Sequence, residues 1–535
     1  MRKYIIYIIS AVLSVSACNR LDQYPTDKFT DSNYWTSTDK ALSVLNRAYN
    51  LMLGASAVFN NEALSDNMYQ RRAHDEKIIS SGQADASTGR FLNEWKNAYT
   101  CIKTCHVFLE NVDRVTEMDD ALKERVKAEA RFIRAFEFFR LATWYGDVPL
   151  FDRDITLSES KTISRTEHSK VISFVCEELE SVAEILPSVE EYPAADRGRI
   201  TCGAARALKA RVHLYENDWS NVVAECEKLM SGSYGKYDLF NDFAALFTKD
   251  NEYSCEDVLS IQFVPSLKTW DDYQDLMPPS VRGRVSKMAP TQELVEDFIM
   301  LNGKAIREEG SGYNENAPFI GRDPRLDMTI VRHLGTFPMP DSSDRIIYIK
   351  PGSAPDASSK ADEYKISDEK TSPTGYYLKK NYDRTAINSI TSGMNIMIIR
   401  WADVLLMYAE AKNELGEMNE AVWNETICKL RNRAGFSDAN ALNLPTEDQS
   451  KLRDIIRRER RCELAVEGLR IFDIRRWRTA EKVLFGRPHG DKFANGNTEY
   501  IELEERRFDP ERDYLWPVPQ SEKDINPNLG QNPKY

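Results

Sequence analysis

The sequence predicts a mainly α-helical protein, an α/α superhelix of tetratricopeptide-type helix pairs that holds an irregular, loop-rich lobe with short β-strands. Three observations predict it. Apolar residues recur every three or four positions over residues 88–231. Two pairs of such helical stretches each run for about 34 residues, the length of a tetratricopeptide hairpin. Between the pairs, residues 233–395 lose this periodicity and are rich in Gly, Pro, Ser and Asp.

The first residues predict export and a lipid anchor. Arg2 and Lys3 precede an apolar run, Tyr4–Val15, that is too short for a bilayer span of about 20 residues. Small residues then lead to Cys18, as in a bacterial lipobox, so we expect residues 1–17 to be a signal peptide and Cys18 to be lipidated. An ordinary secretory signal with an incidental cysteine is the alternative. No later segment is apolar enough to span a membrane, so lipid at Cys18 would be the membrane attachment.

The helical elements follow in order. A polar arm reaches about Trp35, and an amphipathic helix is expected near Asp39 to Leu53. Within residues 88–231, positions three or four apart form one apolar stripe; they are Leu122, Val126, Ala130, Ile133 and Phe136. The first helix pair turns at Asn217 and Asp218, and the second turns at Gly416.

The remaining segments complete a division into an N-terminal helical region (18–232), an irregular ligand-binding lobe (233–395) and a C-terminal helical region with a tail (396–535). Strands are expected near Val258–Val264 and Arg345–Lys350, and a further helical stretch over Lys451–Val483. Prolines in the tail predict a chain that wraps the surface without forming a helix. Long loops on a helical scaffold are where binding sites usually lie.

Composition excludes several partners and activities. The 535 residues carry a net charge of −13, which argues against nucleic acid and anionic membrane surfaces as partners. The cysteines other than Cys18 fall mostly within apolar helical patterns, where a thiol packs as a small hydrophobe. The chain lacks the serine-hydrolase, phosphate-loop, dinucleotide, HExxH and EF-hand motifs, and its six histidines show no ligand spacing. We therefore expect no catalytic residues, no metal and no cofactor.

Two loop segments carry the residue types that bind sugars, namely flat aromatic rings beside polar side chains. Ser65–Glu76 contains Asp66, Tyr69, Arg72 and His74, and Ser266–Leu276 contains Trp270, Asp271 and Tyr273. These seven residues are the predicted ligand contacts. The alternative is that the aromatic side chains only hold the loops on the scaffold.

A segment of dense charge, Arg457–Trp477, reads RRERRCELAVEGLRIFDIRRW. Glu459, Glu463 and Glu467 recur every four residues, so on a helix they would share one face and pair with Arg460, Arg470 or arginines from elsewhere. A general acid/base cluster is the alternative, but no nucleophile or metal ligand set accompanies it. We interpret the segment as a charge-paired structural helix pair.

The same segment resembles the ER..EL..EG.R..D..RW signature of the SusD/RagB family of outer-membrane nutrient-binding lipoproteins. Further stretches are similar to that family's landmarks and follow in the same order: Ala128–Leu150, PTQELVEDF with NGK, Arg322–Leu326, Ile399–Gly416 and Tyr514–Tyr535. Together they span nearly the whole chain after Cys18.

The resemblance implies a lipid-anchored binding protein on the outer face of the outer membrane. Such a protein would capture an oligosaccharide above a SusC-like, TonB-dependent β-barrel transporter and deliver it into the barrel. A peptide-binding lid of a peptide importer is the second possibility, and a surface glycoside hydrolase is the third. The predicted Ser65–Glu76 and Ser266–Leu276 contacts lie outside every family landmark.

Overall fold

The computed structural model describes residues 34–339, 341, 343–386, 391–493 and 499–535. The predicted signal peptide and the lipidation site Cys18 lie outside these residues. The fold is mainly α, as predicted. In chain order the helices are α1 Thr38–Leu51, α2 Ala55–Ala63, α3 Asp75–Ser80, α4 Gly89–Asn111, α5 Asp120–Tyr145, α6 Leu157–Ser160, α7 His168–Ala183, α8 Cys202–Tyr215, α9 Trp219–Met230, α10 Phe243–Leu246, α11 Gln292–Asp297, α12 Arg325–Thr329, α13 Trp401–Glu414, α14 Glu420–Trp423, α15 Lys429–Ala434, α16 Ala439–Leu442, α17 Gln449–Glu463, α18 Arg470–Arg476, α19 Ala480–Val483 and α20 Gln520–Ile525.

The strands are short and pair into four antiparallel two-stranded sheets within the described residues. They are β1 Met68–Gln70 with β3 Met288–Pro290, β2 Asp257–Ile261 with β8 Ile396–Arg400, β4 Ile330–Val331 with β7 Tyr377–Leu378, and β5 Thr336–Pro338 with β6 Asp344–Ile346. The predicted strand positions near 258–264 and 345–350 are confirmed, although β2 and β6 are shorter than expected.

The helices form the predicted array, because α1 packs on α4, α4 on α5, α5 on α7, and α7 on α8. Both predicted helix pairs are confirmed. The first is α8 with α9, joined at Asn217, which has a φ of 56°. In the second, α13 ends before Gly416, whose φ of 72° suits a residue without Cβ. Its partner helix runs from α14 to α15 through a π-helical turn at Asn424–Cys428.

The irregular segment, residues 233–395, packs directly against the helical array. Strand β2 pairs with β8, and β8 leads directly into α13 through Arg400. Apolar side chains of the segment, including Trp270 and Tyr376, belong to the same buried cluster as the array helices. This pairing brings loops from residues 233–395 against α2 and α17.

The tail differs from its prediction at one point. Residues Gln520–Ile525 form α20, although the sequence predicts no helix there. Pro519 precedes the first turn, where a missing N–H costs nothing because the first amides of a helix have no intrahelical acceptor. Elsewhere the tail is anchored on the array, since Trp516 stacks on Trp144 with ring centroids 3.8 Å apart.

Among the described residues, no helix combines the length and the apolar character needed to cross a bilayer. None of the described cysteines forms a disulfide, and five of them are buried, as the core-packing interpretation predicts.

Candidate functional site

The segment Ser266–Leu276 does not expose its aromatic rings. Trp270 is 5% exposed and Tyr273 is 3% exposed, so the prediction of solvent-facing stacking surfaces is wrong. A backbone bridge to Ser392 draws Trp270 inward, and its Nε1 donates to the carbonyl oxygen of Met394 at 2.7 Å. Its ring packs beside Phe59 of α2. A long-range bridge, which loop composition does not reveal, holds Trp270 in the core, and Tyr273 packs edge-on against its ring.

The acidic residues of this segment bind other parts of the protein. Asp271 accepts from Arg284 Nη1 at 2.7 Å, and Asp272 accepts from Ser56 Oγ at 2.9 Å. Burial raises the pKa of Asp272, and the Ser56 hydrogen bond opposes that shift. These contacts hold the segment on α2.

Most predicted ligand contacts in Ser65–Glu76 likewise bind other parts of the protein or are buried. Tyr69 is buried on β1, and burial raises its pKa to about 12. Asp66 forms ion pairs with Arg461 and Arg470 at 2.9 and 2.8 Å, so the expectation that it is available to a ligand is also wrong. Arg72 pairs with Glu369 at the surface. Only His74 faces a sizeable cavity.

That cavity has a volume of about 550 Å³ and is here called the α4 cavity. It lies between the end of α1, the start of α2, the turn before α3 and the first half of α4. Its polar lining residues are Ser56, Asn60, His74, Asp75, Glu76, Arg90, Asn93, Glu94, Asn97, Arg140 and Lys287. None of its lining residues is Phe, Tyr or Trp, so polar groups dominate its recognition chemistry.

The two arginines of the wall, Arg90 and Arg140, are paired with buried glutamates. Arg90 contacts Glu76 at 3.3 Å, and Arg140 binds both Glu94 and Glu137. Burial alone would raise the pKa of Glu94, but Arg140 and Arg90 outweigh it and lower that pKa. The buried part of the wall is therefore a set of matched charges.

Uncommitted polar groups lie closer to the mouth. Asn93 and Asn97 are exposed and four residues apart, so they lie on the same face of α4. Their amides and the exposed His74 imidazole have no side-chain partner among the described residues. Each amide offers two donors and an acceptor. This arrangement suits the hydroxyl groups of a neutral ligand.

Asn93 and Asn97 are not among the predicted contacts, because the prediction for residues 88–231 depended only on the apolar periodicity of its helices. The signal available in the sequence was a pair of asparagines four residues apart on the polar face of this helix. Within the described ranges, no group of His, Cys, Asp and Glu could hold a metal ion.

The Arg457–Trp477 segment forms a second polar cluster, here called the arginine–carboxylate network. Glu463 of α17 binds Arg325 and Arg400, each at 2.7 Å, and Arg433. Glu459 binds Arg325 and Arg431, at 2.7 and 2.8 Å. Burial alone would raise the pKa of Glu463, but the three arginines hold it well below its usual range. These groups stay ionised and paired inside the protein.

Two details differ from the sequence-based interpretation. Glu467 lies beyond the end of α17, so the three glutamates do not share one helix face. It binds Lys380 and Arg400 at 2.6 and 2.8 Å. Arg460 pairs with Asp403 and Asp473 instead of with the glutamates. The partners thus come mainly from distant segments, and the predicted charge pairing is confirmed.

Comparisons with known proteins agree with this architecture. A family model described as "SusD family" matches residues 263–535, and one described as "Starch-binding associating with outer membrane" matches residues 21–214. SusD-like protein P25 of Formosa agariphila is 28% identical over 72% of this chain and 69% of its own length. SusD-like protein P2 of the same organism is 26% identical over 100% of both chains.

A solved structure is also similar. The crystal structure of a SusD-like carbohydrate-binding protein from Bacteroides fragilis superposes with a TM-score of 0.82 at 27% identity. The match covers 93% of this chain and 99% of that protein. The chain described here therefore belongs to the SusD/RagB family.

Proposed function

We propose that this protein is a surface lipoprotein that binds a nutrient oligosaccharide and delivers it to a TonB-dependent outer-membrane transporter of the SusC type. The observation that carries the proposal is the α4 cavity, with Asn93 and Asn97 amides that have no side-chain partner among the described residues, in a chain whose structural relative is a carbohydrate-binding protein. The proposed role is binding rather than catalysis.

The cavity supports a neutral, hydroxyl-rich ligand of several sugar units. Its volume of about 550 Å³ lies within the roughly 300–1,000 Å³ of typical ligand sites. Arg90, Glu94 and Arg140 already have partners of opposite charge, so a ligand could form an ion pair with them only by displacing those partners. The exposed Asn93 and Asn97 amides can each exchange hydrogen bonds with vicinal hydroxyls. His74 is the one predicted contact that we retain for this site.

Gly54 offers a direct test, because it lines the cavity and a Cβ placed there meets no atom within 4 Å. We expect Gly54→Trp to fill the cavity and abolish glycan binding, while Gly54→Ala leaves binding nearly unchanged. Isothermal titration calorimetry against starch, laminarin, xylan and a panel of oligopeptides would measure ligand binding by the wild type and both variants. Binding of peptides but of no glycan would instead support a peptide-binding lid. Cleavage of a bound glycan would contradict the non-catalytic role.

Membrane attachment through Cys18 is a separate part of the proposal. We expect Cys18→Ala to yield a folded protein that no longer fractionates with membranes, because the lipid would have no attachment site. Membrane fractionation followed by immunoblotting would measure this. Tight membrane association of the variant would contradict the anchor.

Delivery to a transporter requires a stable contact with a β-barrel partner. We expect a tagged form of the lipid-anchored protein to co-purify from detergent-solubilised outer membranes with a TonB-dependent receptor, identified by mass spectrometry. Recovery of the tagged protein without such a receptor would leave glycan capture intact and contradict delivery.

A further inference from the structure

A second, smaller pocket lies on the other side of α1 from the α4 cavity. It has a volume of about 150 Å³ and is formed by the loop before α8 and the segment that leads into β2. Tyr49 of α1 accepts from the Ile200 backbone in that loop, whereas Leu51 lines the α4 cavity. Residues two positions apart on an α-helix are separated by about 200° around its axis. Tyr49 and Leu51 therefore point to opposite sides of α1. The pocket is therefore not an extension of the cavity.

Tyr253 and Tyr192 are the aromatic residues that line this pocket; Tyr192 is buried, whereas Tyr253 is exposed and has an unusual backbone. Its φ is 60°, a conformation that bulky residues rarely adopt. The side chain is 42% exposed, and its hydroxyl donates to Gln262 Oε1 at 2.7 Å. Gly198 makes room for Gln262, since a Cβ there would meet the Gln262 amide at 2.4 Å. The left-handed backbone and the Gln262 hydrogen bond together fix the Tyr253 ring at the pocket.

Three polar groups that line the pocket lack a hydrogen-bond partner or an opposite charge in the described part of the chain. Ser254 Oγ is buried without a hydrogen-bond partner in the described part of the chain. Asp257 accepts only from Ser260 Oγ, at 2.6 Å, and pairs with no described lysine or arginine. Arg197 is exposed at the rim and forms no ion pair within the described residues. Burial raises the pKa of Asp257 to about 6, as expected for a carboxyl group without a cation.

We propose that the Tyr253 pocket is a second carbohydrate site that holds one sugar unit. The sugar ring would stack on Tyr253, and its hydroxyls would bond Asp257 and Arg197. The pocket is smaller than the roughly 300–1,000 Å³ of sites for larger ligands, which favours a single ring over a chain. This inference rests on the proposed function for one point, namely that the ligand is a carbohydrate.

Saturation-transfer NMR on the full mature chain with the methyl glycosides of glucose, galactose and mannose can test the inference. In Gly54→Trp the α4 cavity is filled, and we expect transfer to at least one glycoside to persist. Adding Tyr253→Gly should abolish it, because the stacking ring is gone. Glycine also relieves the positive φ, so this variant should fold at least as well as the parent. Tyr253→Phe, which keeps the ring, should retain the transfer.

The outcomes separate the two proposals. Transfer that disappears with Gly54→Trp alone, or that Tyr253→Gly leaves unchanged, overturns the second site and leaves glycan binding by the α4 cavity intact. Transfer that depends on Tyr253, in a chain that binds no polysaccharide by calorimetry, supports the pocket and contradicts the proposed function. An absence of transfer in every chain, wild type included, overturns the pocket outright.

Discussion

The arginine–carboxylate network and the α4 cavity are both rich in polar side chains, but they use them in opposite ways. In the network, Arg325, Arg400 and Glu463 are essentially buried, and each binds at least two charged partners. At the mouth of the cavity, Asn93 and Asn97 are exposed and bind no other side chain in the described structure. Satisfied polar groups fix a structure, whereas unsatisfied ones at a cavity mouth are available to a ligand.

This comparison shows why charge density is a poor guide to function in this chain. The segment Arg457–Trp477 is dense in charge, yet its Glu463 is engaged in holding α17 against β8 and α12. Removing one partner from such a cluster leaves a buried charge uncompensated. The neutral amides of α4 carry less electrostatic energy and are the better candidates for recognition.

The largest effect should come from the network. Glu463→Ala is expected to lower the free energy of unfolding by about 3–5 kcal/mol, because three arginines lose a shared anion in the interior. Urea denaturation would measure it. Glu425→Ala is the matched control: its pair with Lys429 is about half exposed, so the expected cost is below about 1 kcal/mol. Normal stability with loss of ligand binding would mean that the network is a binding site.

Trp270→Ala should have a similar effect on stability, contrary to the expectation for an exposed stacking ring. The ring is 5% exposed and packs against Phe59, and truncating a buried tryptophan costs about 3–5 kcal/mol. Any change in glycan affinity should disappear when only the folded fraction is considered. A variant of unchanged melting temperature that has lost glycan binding would restore Trp270 as a ligand contact.

Glu62 of α2 lies between the two regions and should make stability depend on pH. It accepts hydrogen bonds from the Gly468 backbone and the Asn67 amide, at 2.6 and 2.8 Å. Burial raises its pKa from 4.5 to about 7, against the effect of these bonds. A carboxyl group whose folded pKa is raised contributes stability at low pH and loses it as pH rises through the folded value.

Between about pH 5 and about pH 8, the free energy of unfolding of the wild type should therefore fall by about 2–3 kcal/mol relative to that of Glu62→Gln, since glutamine stays neutral. Urea denaturation of both proteins at the two pH values would measure the difference. An identical pH dependence in the two proteins would show that Glu62 titrates normally despite its burial.

The smallest effect concerns the cavity amides. Asn97→Ala should weaken glycan binding by about 0.5–1.5 kcal/mol, the net value of a hydrogen bond, without changing the melting temperature. Asn424→Ala is the control, because Asn424 is exposed on a helix outside the cavity. Calorimetry would compare the two. Equal affinity of both variants would place the ligand away from α4.

Periodicity in the sequence determined the helices, the two helix pairs and the family landmarks. Helix positions follow from contacts three or four residues apart, which a linear pattern records directly. The interpretation of Arg457–Trp477 as structural also depended only on residue types and spacing. Even there, the sequence left the partners open, since Glu463 and Arg325 are 138 residues apart.

The tertiary structure alone decided which polar residues are free. Trp270 and Asp66 have the composition of ligand contacts, but a bridge to Ser392 and ion pairs with Arg461 and Arg470 enclose them. Asn97 belongs to an ordinary helix and becomes available because the loops around it leave a cavity. Burial and pairing depend on contacts between distant segments, and those contacts leave no periodic trace in the sequence.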